Sequence, residues 1–357
     1  MRIKKTVFAN ASYLCKLQAK LSELRHRHAA HFRHLKEVFY EKLWTGTARD
    51  LGAEIKAIGY GFYELRLHAK TTLVHGSEVM LDSHLNLKLA GNKPLISKIL
   101  SEHHYPVARY HEFDLAHLDE AYEFLAGLAR PCVVKPAGAG SAGKGITTGI
   151  LTRGELSKAA LWASCYSQKL IIENQVEGDS YRLLYLHGRF LDAIRRLPPR
   201  VHGDGKHTIQ ELIVAENHRR MNPGAIISLH PLAIDAELKN HLRATGYHLK
   251  HVLAKGKSIA AKRVVNQNSR YENESVRAIV HPEIIKSGEH IARLLQIELA
   301  GIDLICKDIT RPLAQENGVV NEVNTTPALH HHYLISNTSE ITPVAVHIQR
   351  YILNGKD

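Results

Sequence analysis

The segment from Pro131 to Gly145 reads Pro131-Cys132-Val133-Val134-Lys135-Pro136-Ala137-Gly138-Ala139-Gly140-Ser141-Ala142-Gly143-Lys144-Gly145. Its first part is a short apolar run, typical of a buried strand, that ends at Lys135. Its second part is rich in glycine, whose backbone N–H groups can approach and surround phosphate oxygens. Lys135 would add a positive charge to the same phosphates. Taken alone, the segment fits a plain flexible turn about as well. It is not the P-loop of nucleoside triphosphatases, because Gly145 follows Lys144 where that motif has Ser or Thr.

Composition describes an ordinary globular protein. The chain has 357 residues, a length that is sufficient for two or three packed lobes. Of these residues 44% are hydrophobic and 23% are charged, which is ordinary for a globular protein. No apolar run is long enough to span a bilayer. The cysteines (Cys15, Cys132, Cys165 and Cys306) are scattered without paired spacing. This spacing argues against a disulfide framework or a zinc site and predicts a cytoplasmic protein.

The formal net charge of +12 is compatible with two classes of partner. One is nucleic acid or an anionic membrane surface. The other is a small anionic substrate, such as ATP or a carboxylate. Aromatic residues make up only 6% of the chain and do not alternate with basic residues in any patch. The composition therefore favours small anions and makes nucleic acid the less favoured partner.

The hydrophobic patterns predict a fold that contains both helices and strands, of the α/β or α+β class. Residues 1–91 are expected to form a small N-terminal α/β lobe, with a helix over 25–41 and strands on either side of Gly59 and Gly61. The four histidines of that helix are interpreted as a solvated face. Further along the chain, strands are predicted over 131–136, 146–150, 170–176 and 181–187, and helices over 95–102, 114–129 and 156–164. Alternation of this kind is typical of α/β or α+β architecture.

Polar residues at strand ends are candidates for ligand contacts. Glu173 lies near the end of the apolar strand Leu170-Ile171-Ile172-Glu173-Asn174-Gln175-Val176. It is either an edge-strand glutamate or a contact to the exocyclic amine of an adenine. His330, His331 and His332 form a cluster that is interpreted as a turn at the surface or on the substrate side.

Three oxygen-bearing residues near the end of the chain suggest a metal site. Glu322 and Asn324 are two residues apart in a strand, so their side chains project from the same face. Asp303 lies in a second apolar strand, Gly301-Ile302-Asp303-Leu304-Ile305. Two carboxylates and an amide oxygen are hard donors that suit Mg²⁺, which also keeps substrate phosphates as ligands.

From Lys93 to Tyr333 the chain resembles the ATP-grasp ligases, and is most similar to the ATP-grasp domains of cyanophycin synthetase and of the bifunctional glutathione-synthesising enzymes. The motifs that carry the resemblance occur in the family's order. They are Asn92-Lys93, Val133-Val134-Lys135-Pro136, the glycine loop, Gly178-Asp179-Ser180-Tyr181-Arg182, Arg195-Arg196-Leu197-Pro198-Pro199, Gly203-Asp204-Gly205-Lys206-His207-Thr208, Lys262-Arg263 before Asn266, and Asn321-Glu322-Val323-Asn324.

The resemblance implies an ATP-grasp fold over residues 92–357, with a central lid-like lobe over about 105–178 and a C-terminal lobe over about 179–357. It assigns phosphate binding to Lys93, Lys135 and the loop residues Gly138, Gly140, Ser141 and Gly143. It assigns the adenine to Glu173, Asn174 and Val176, and the ribose to Asp179 or Ser180. It assigns Mg²⁺, or Mn²⁺ in its place, to Asp303, Glu322 and Asn324. Arg182, Arg196 and Arg263 are implied to grip the transferred phosphoryl group or the substrate carboxylate.

The implied activity is ATP-dependent ligation of a carboxylate to an amine through an acyl phosphate, with release of ADP and phosphate, on amino acids or short peptides. Two alternatives remain open: a non-catalytic ATP-binding module, and a ligase that modifies a protein or peptide tail. Dimers are common in the family, so a homodimer is one open assembly state. A Mur-ligase-like domain, found in cyanophycin synthetase, is not expected after Tyr333.

The chain departs from the family pattern at two places. Ser180 stands where the family usually has a carboxylate. After Asn266 the chain reads Gln267-Asn268-Ser269-Arg270-Tyr271, with Arg270-Tyr271 in place of a Gly-Gly pair. The second departure lies in a loop that the family places near the carboxylate substrate, so it bears on which acid is used.

Overall fold

The computed structural model describes residues 29–138 and 144–355. Its first described element is helix α1 (Ala29–Leu51), followed by the antiparallel strands β1 (Glu54–Gly59), β2 (Phe62–Leu67), β3 (Lys70–His75) and β4 (Glu78–Val79). Trp44 of α1 is fully buried together with Leu65 and Val74 of the sheet. The predicted strands on either side of Gly61 are confirmed, while the helix runs ten residues beyond the predicted end at Glu41 and its predicted first residues lie outside the described range.

Two short helices lead to the first site residue. They are α2 (His84–Ala90) and α3 (Lys93–Glu102). The side chain of Asn92 accepts a hydrogen bond from the backbone N–H of Leu95, and Pro94 lies in the first turn of α3. Asparagine at this cap and proline in the first turn are favoured by the geometry of a helix start. Lys93 is thereby held at the first position of α3.

A four-stranded sheet contains the apolar run before the glycine loop. Its strands are β5 (Tyr110–Phe113), β6 (Cys132–Pro136), β7 (Thr147–Ile150) and β8 (Leu170–Asn174), in the order β5-β8-β6-β7. Helices α4 (Leu118–Ala126) and α5 (Arg153–Ala163) cover one face. The hairpin predicted across the glycine loop is confirmed by the antiparallel pairing of β6 with β7. The predicted helix over 114–129 is shorter, because a 3₁₀ turn (Leu115–His117) precedes α4.

A five-stranded antiparallel sheet forms the largest layer. Its strands are β9 (Asp179–Leu186), β10 (Arg189–Arg196), β13 (Asn273–Ser275), β14 (Leu299–Cys306) and β15 (Gly318–Asn324), in the order β13-β10-β9-β14-β15. One face packs against α8 (Pro282–Leu294), α2 and α3. Part of the other face packs against α1 and α9 (Val344–Asn354). Alternate residues of β9 therefore belong to two different hydrophobic clusters.

A smaller unit is inserted between β10 and β13. It contains strands β11 (Arg200–His202) and β12 (Ser258–Ala260) and helices α6 (Ile209–Arg220) and α7 (Ala236–Ala244). These elements enclose a hydrophobic cluster of their own. Thr208 and Glu211 form a capping box at the start of α6: the side chain of Thr208 accepts from the backbone N–H of Glu211, and the side chain of Glu211 accepts from the backbone N–H of Thr208.

Candidate active site

The register of the large sheet places the predicted polar residues on one face. Arg182 of β9 lies directly opposite Asp303 of β14, and Asp303 lies opposite Glu322 of β15. On the other side of β9, Ser180 lies opposite Arg196 of β10. Directly opposed residues in an antiparallel sheet project to the same side. The sheet therefore presents a row of polar side chains that crosses four strands.

Arg182, Arg196 and Asp303 form a buried ion cluster in this row. Nε and Nη2 of Arg182 donate to the two carboxylate oxygens of Asp303 at 2.7 and 2.8 Å. Nη2 of Arg196 lies 3.0 Å from Oδ2 of the same carboxylate and also donates to Oγ of Ser180 at 2.8 Å. Burial alone would raise the pKa of Asp303, but the charges of the two guanidinium groups hold that pKa below its ordinary value.

Lys93 reaches the same row from helix α3. Its Nζ donates to Oε1 of Glu322 at 2.6 Å, and both side chains are half-buried. Asn324, two residues further along β15, has its Nδ2 3.5 Å from the backbone oxygen of Gly301. The contact between Lys93 and Glu322 brings a residue predicted to bind phosphate to a residue predicted to bind metal.

The donor set fits a hard divalent cation in its chemistry. Asp303, Glu322 and Asn324 supply two carboxylates and an amide, the oxygen ligands that Mg²⁺ prefers. Lys93 contacts one oxygen of Glu322, whereas both oxygens of Asp303 accept guanidinium N–H groups. Within residues 29–138 and 144–355, no group of three or more His, Cys, Asp and Glu side chains is arranged to hold a metal. A metal site built on Asp303 and Glu322 would therefore need the amide oxygen of Asn324 as its third protein ligand.

A second ion pair lies on the smaller sheet. Nζ of Lys135 is 2.7 Å from Oε1 of Glu173, and Lys135 is buried. The register pairs Lys135 with Ile171 and Val133 with Glu173, so Lys135 and Glu173 are diagonal neighbours on one face. The opposite face, with Cys132, packs against α4 and α5. Lys135 and Glu173 therefore lie on the side of the sheet away from these helices.

Tyr110 connects the two ion pairs. It lies opposite Glu173 in the β5–β8 pairing, and its hydroxyl donates to the backbone oxygen of Pro94 at 2.9 Å. Pro94 directly follows Lys93. The predicted phosphate lysines thus come from two elements that Tyr110 holds together, and sequence reasoning did not identify this tyrosine because its segment carries no motif.

The other residues that were predicted to bind the nucleotide lie at several different places in the fold. Asn174 ends β8, and its backbone N–H donates to the oxygen of Arg109 at 2.9 Å. Val176 is half-buried in the segment before β9. Asp179 lies 3.6 Å from Arg195, which also pairs with Glu274 at 2.7 Å. Gly138 is the last described residue before the loop, and Gly140, Ser141 and Gly143 lie outside the described residues.

Arg263 lies apart from this row of polar side chains. It is exposed after β12, and its backbone N–H donates to Oε1 of Glu237 on α7 at 2.9 Å. Its neighbour Lys262 is buried and pairs with Asp235 at 2.5 Å. Arg263 therefore belongs, in this structure, to the smaller unit around α7, and none of its described contacts is with Arg182 or Arg196.

The surface interpretation of the His330–His332 turn is wrong for two of the three residues, whereas the substrate-side interpretation stays a prediction. His330 and His332 are buried, and only His331 keeps partial exposure. A run of polar residues without hydrophobic periodicity does not indicate burial. The partners of His330 and His332, which are Tyr40 and Asp192, lie far away in the chain and are visible only in the folded structure. The turn itself is a 3₁₀ helix (Leu329–His332).

The altered loop after Asn266 is held by several contacts. The guanidinium group of Arg270 donates to the backbone oxygen of Ile335 at 3.1 and 3.3 Å. Ser269 and Glu272 form a capping box around a 3₁₀ turn, and Glu272 is buried. Tyr271 is exposed, and the guanidinium carbon of Arg219 lies 4.9 Å from its ring centroid. Of the two residues that replace the family's Gly-Gly pair, Arg270 therefore fastens this loop to the segment after the His330–His332 turn, and Tyr271 contacts helix α6.

Comparison with known proteins identifies the relatives of this chain. No family model matches it. A cyanophycin synthetase from Synechocystis is 31% identical over 281 residues, which cover 77% of this chain and 31% of that protein. A bifunctional glutathione biosynthesis protein from Streptococcus mutans is 26% identical over 268 residues, covering 72% of this chain and 35% of the relative. The chain belongs to the ATP-grasp family.

The structure of a bifunctional glutathione synthetase from Pasteurella multocida supports the ATP-grasp fold. It matches with a TM-score of 0.53 and 20% identity over 85% of this chain and 41% of that one. The predicted α/β ATP-grasp fold is confirmed. This ATP-grasp chain spans about a third of the length of the curated relatives it matches. Among its described helices, none has both the length and the apolar character needed to cross a membrane.

Proposed function

We propose that the chain is an ATP-dependent carboxylate–amine ligase that joins an amino-acid or peptide carboxylate to an amine and releases ADP and phosphate. The observation that carries the proposal is the contact between Lys93 and Glu322 beside the cluster of Arg182, Arg196 and Asp303. This arrangement gathers groups suited to phosphate, to a divalent cation and to a carboxylate on one face of a rigid sheet. Phosphoryl transfer depends mainly on such positioning and on charge stabilisation.

The two lysines are assigned to the phosphates of ATP. Lys93 approaches from α3 and Lys135 from β6, and each is held by a carboxylate at 2.6–2.7 Å. The ammonium groups are therefore already oriented by hydrogen bonds. Glycine-loop residues Gly138 to Gly145 are assigned to cover the phosphates with backbone N–H groups, as their sequence predicts.

The two buried guanidinium groups are assigned to the reacting anions. Arg182 and Arg196 are planar donors that can take carboxylate or phosphoryl oxygens in two parallel hydrogen bonds. Together they carry one more positive charge than Asp303 neutralises. Arg263 remains a third candidate from the resemblance, and its exposed position leaves it available to a substrate bound against the smaller unit.

Asp303, Glu322 and Asn324 are assigned to hold Mg²⁺ or Mn²⁺. A bound divalent cation would neutralise the charge that develops on the transferred phosphoryl oxygens. Glu173, Asn174 and Val176 are assigned to the adenine, and Asp179 or Ser180 to the ribose. In this assignment Glu173 has two roles, since it also orients Lys135.

The remaining features of the proposal follow from the sequence and its relatives. Residues 92–357 are taken as the ATP-grasp unit and residues 1–91 as an N-terminal α/β lobe, whose helix α1 packs against the large sheet. The buried thiols of Cys132 and Cys306 agree with the reducing cytoplasm as compartment. Small-molecule acids and amines are the proposed partners, and a homodimer is the proposed assembly.

The test is ADP and phosphate release from Mg-ATP in the presence of pooled amino acids and, separately, short acidic peptides. Lys135→Ala and Glu322→Ala should abolish the release. Lys169→Ala, which removes a lysine that is 71% exposed directly before β8, should leave the release unchanged. Dependence of the release on one pool would also identify the substrate class.

Two other outcomes would contradict the proposal, and a third would change the substrate that it names. Release of AMP in place of ADP would exclude an acyl phosphate. Binding of ATP without turnover in any pool would favour a non-catalytic module. Turnover with acidic peptides alone, at a rate that falls steeply with salt, would favour a ligase acting on a protein tail.

A further inference from the structure

The turn Leu329–His332 carries three consecutive histidines and packs against strand β10 of the large sheet. The rings of His330 and His331 have their centroids 4.2 Å apart. The three rings differ in their partners. Two are fixed by residues distant in the chain, and the middle one is fixed by its neighbours.

His330 is anchored on helix α1. The hydroxyl of Tyr40 and Nδ1 of His330 are 3.2 Å apart, and both residues are buried. Phe39 packs edge-on against the same ring with centroids 6.4 Å apart. This side of the turn is therefore held by an aromatic cluster.

His332 is anchored on strand β10. Its Nδ1 lies 2.7 Å from Oδ2 of Asp192, and Thr342 donates to Oδ1 of the same carboxylate at 3.0 Å. Asp192 and His332 are both fully buried. Since both ends of the turn are fixed, the orientation of the middle ring is restricted as well.

His331 is the middle ring and has an unsatisfied atom. Its Nδ1 is buried and has no hydrogen-bond partner among the residues that the structure describes. Burial lowers the pKa of His331 well below its ordinary value, and the charges of His330, Arg182 and Arg196 act in the same direction. The ring is thus neutral at pH 7 and lies within electrostatic range of both guanidinium groups. A neutral imidazole has one nitrogen that accepts a hydrogen bond.

Within the proposed ligase, we infer that His331 is a specificity-determining residue of the acceptor subsite, where its ring nitrogen accepts a hydrogen bond from the amino group of the incoming amine. The inference rests on the proposed function. Arg182 and Arg196 offer only donors, which suit the carboxylate and the phosphoryl group. Both oxygens of Asp303 already accept guanidinium N–H groups. An amine beside this cluster needs an acceptor, and Nδ1 of His331 is a buried nitrogen that can serve as one.

The positive surroundings also select the form of the amine. A second cation close to Arg182 and Arg196 is disfavoured by charge repulsion, whereas a neutral amine is not. A neutral amine carries the lone pair that ligation requires. The subsite is therefore expected to take primary amines, with one N–H directed to His331.

The experiment separates the acceptor step from the phosphoryl step. Hydroxylamine, a small nucleophile, converts an activated carboxylate to a hydroxamate without an amine substrate. Wild-type protein, His331→Phe and His331→Asn are compared for ATP-dependent hydroxamate formation and for coupling to the pooled amino acids. His331→Phe keeps a planar ring without an acceptor, whereas His331→Asn keeps an acceptor oxygen.

The expected result is unchanged hydroxamate formation in both variants. The KM for the amine pool should rise about tenfold or more in His331→Phe and return at least partly toward the wild-type value in His331→Asn. Thermal unfolding shows whether each variant is folded. A misfolded variant would lose hydroxamate formation together with amine coupling.

Two results would overturn the inference. One is an unchanged KM for the amine in His331→Phe. The other is an equal loss of hydroxamate formation and amine coupling in a folded His331→Phe protein, which would place the residue in the phosphoryl step. Absence of hydroxamate with the wild-type chain would instead overturn the ligase assignment, and this inference with it.

Discussion

Arg182 and Asp303 face each other across β9 and β14 and share two hydrogen bonds, of 2.7 Å between Nε and Oδ1 and 2.8 Å between Nη2 and Oδ2. The pair is buried, and Arg196 shares its carboxylate. Asp303 is therefore a structural counter-ion as well as a candidate metal ligand.

Asp303→Asn is expected to lower the free energy of unfolding by about 3–5 kcal/mol, because two buried guanidinium groups lose their counter-charge. Urea unfolding followed by circular dichroism measures the change. The matched control is Glu274→Gln, which breaks a half-exposed pair with Arg195 and should cost at most about 1 kcal/mol. Equal effects of the two substitutions would contradict the role of Asp303 as the counter-ion.

Lys93→Met is expected to weaken ATP binding about 10- to 100-fold, since a charge-assisted hydrogen bond to phosphate would be lost. Isothermal titration calorimetry with Mg-ATP measures the dissociation constant. Lys98→Met is the control on the same helix, where the lysine is 68% exposed and its nearest carboxylate is 4.0 Å away. An unchanged dissociation constant for the Lys93 variant would remove this residue from the nucleotide site.

Gly288→Ala is expected to destabilise the fold by about 1–3 kcal/mol or more, although alanine is the better helix former. A Cβ at this position of α8 would overlap the side chain of Tyr185 on β9, and Tyr185 is fully buried. Thermal unfolding measures the loss. Lys286→Ala, on an exposed position of the same helix, should be close to neutral.

Tyr185→Phe should relieve part of that overlap. The hydroxyl of Tyr185 is buried without a hydrogen-bond partner in the described part of the chain, so its removal alone should be neutral or stabilising. In the double variant, Gly288→Ala should cost less than it does alone. A purely additive double-mutant cycle would show that the hydroxyl is not the obstacle.

Glu237→Gln is expected to stabilise the protein increasingly as pH rises. Burial raises the pKa of Glu237 to about 7 from 4.5, and the charge of Lys262 only partly offsets this. The folded state therefore favours the protonated form of Glu237. The contribution of this group to the free energy of unfolding is fully present below about pH 4.5 and is lost as the pH rises through about 7.

The difference between variant and wild type should approach about 3 kcal/mol at pH 8, by 1.36 kcal/mol per pKa unit, and nearly vanish at pH 4.5. Urea unfolding at both pH values measures it. Gln keeps an acceptor oxygen for the backbone N–H of Arg263, which limits other changes. A difference that is the same at both pH values would contradict the raised pKa.

Sequence patterns were sufficient for the elements whose period is regular. The apolar runs that became β6, β8 and β14 were predicted as strands because each is short and bounded by polar or turn residues. Spacing of two also predicted that Glu322 and Asn324 share a face. The ATP-grasp motifs then placed the predicted lysines, Lys93 and Lys135, in one fold.

The sequence did not predict which side chains that are far apart in the chain contact each other. Nothing local indicates that Lys93 meets Glu322 across 229 residues, or that His332 meets Asp192 across 140 residues. Burial of the His330–His332 turn depends on α1 and β10, which a run of polar letters does not reveal. The altered loop was correctly noted as a departure, but the contact of Arg270 with Ile335 that fixes it could only be seen in the fold.

The ion pairs Lys93–Glu322 and Lys135–Glu173 have a consequence for how an anion would arrive. Each ammonium group already holds a carboxylate, so an incoming phosphate has to displace or share that partner before it forms its own short-range hydrogen bonds. The net charge of +12 acts over longer distances, outside these pairs. Capture and retention are therefore governed by different charges: salt should slow the encounter with the nucleotide much more than it hastens its departure.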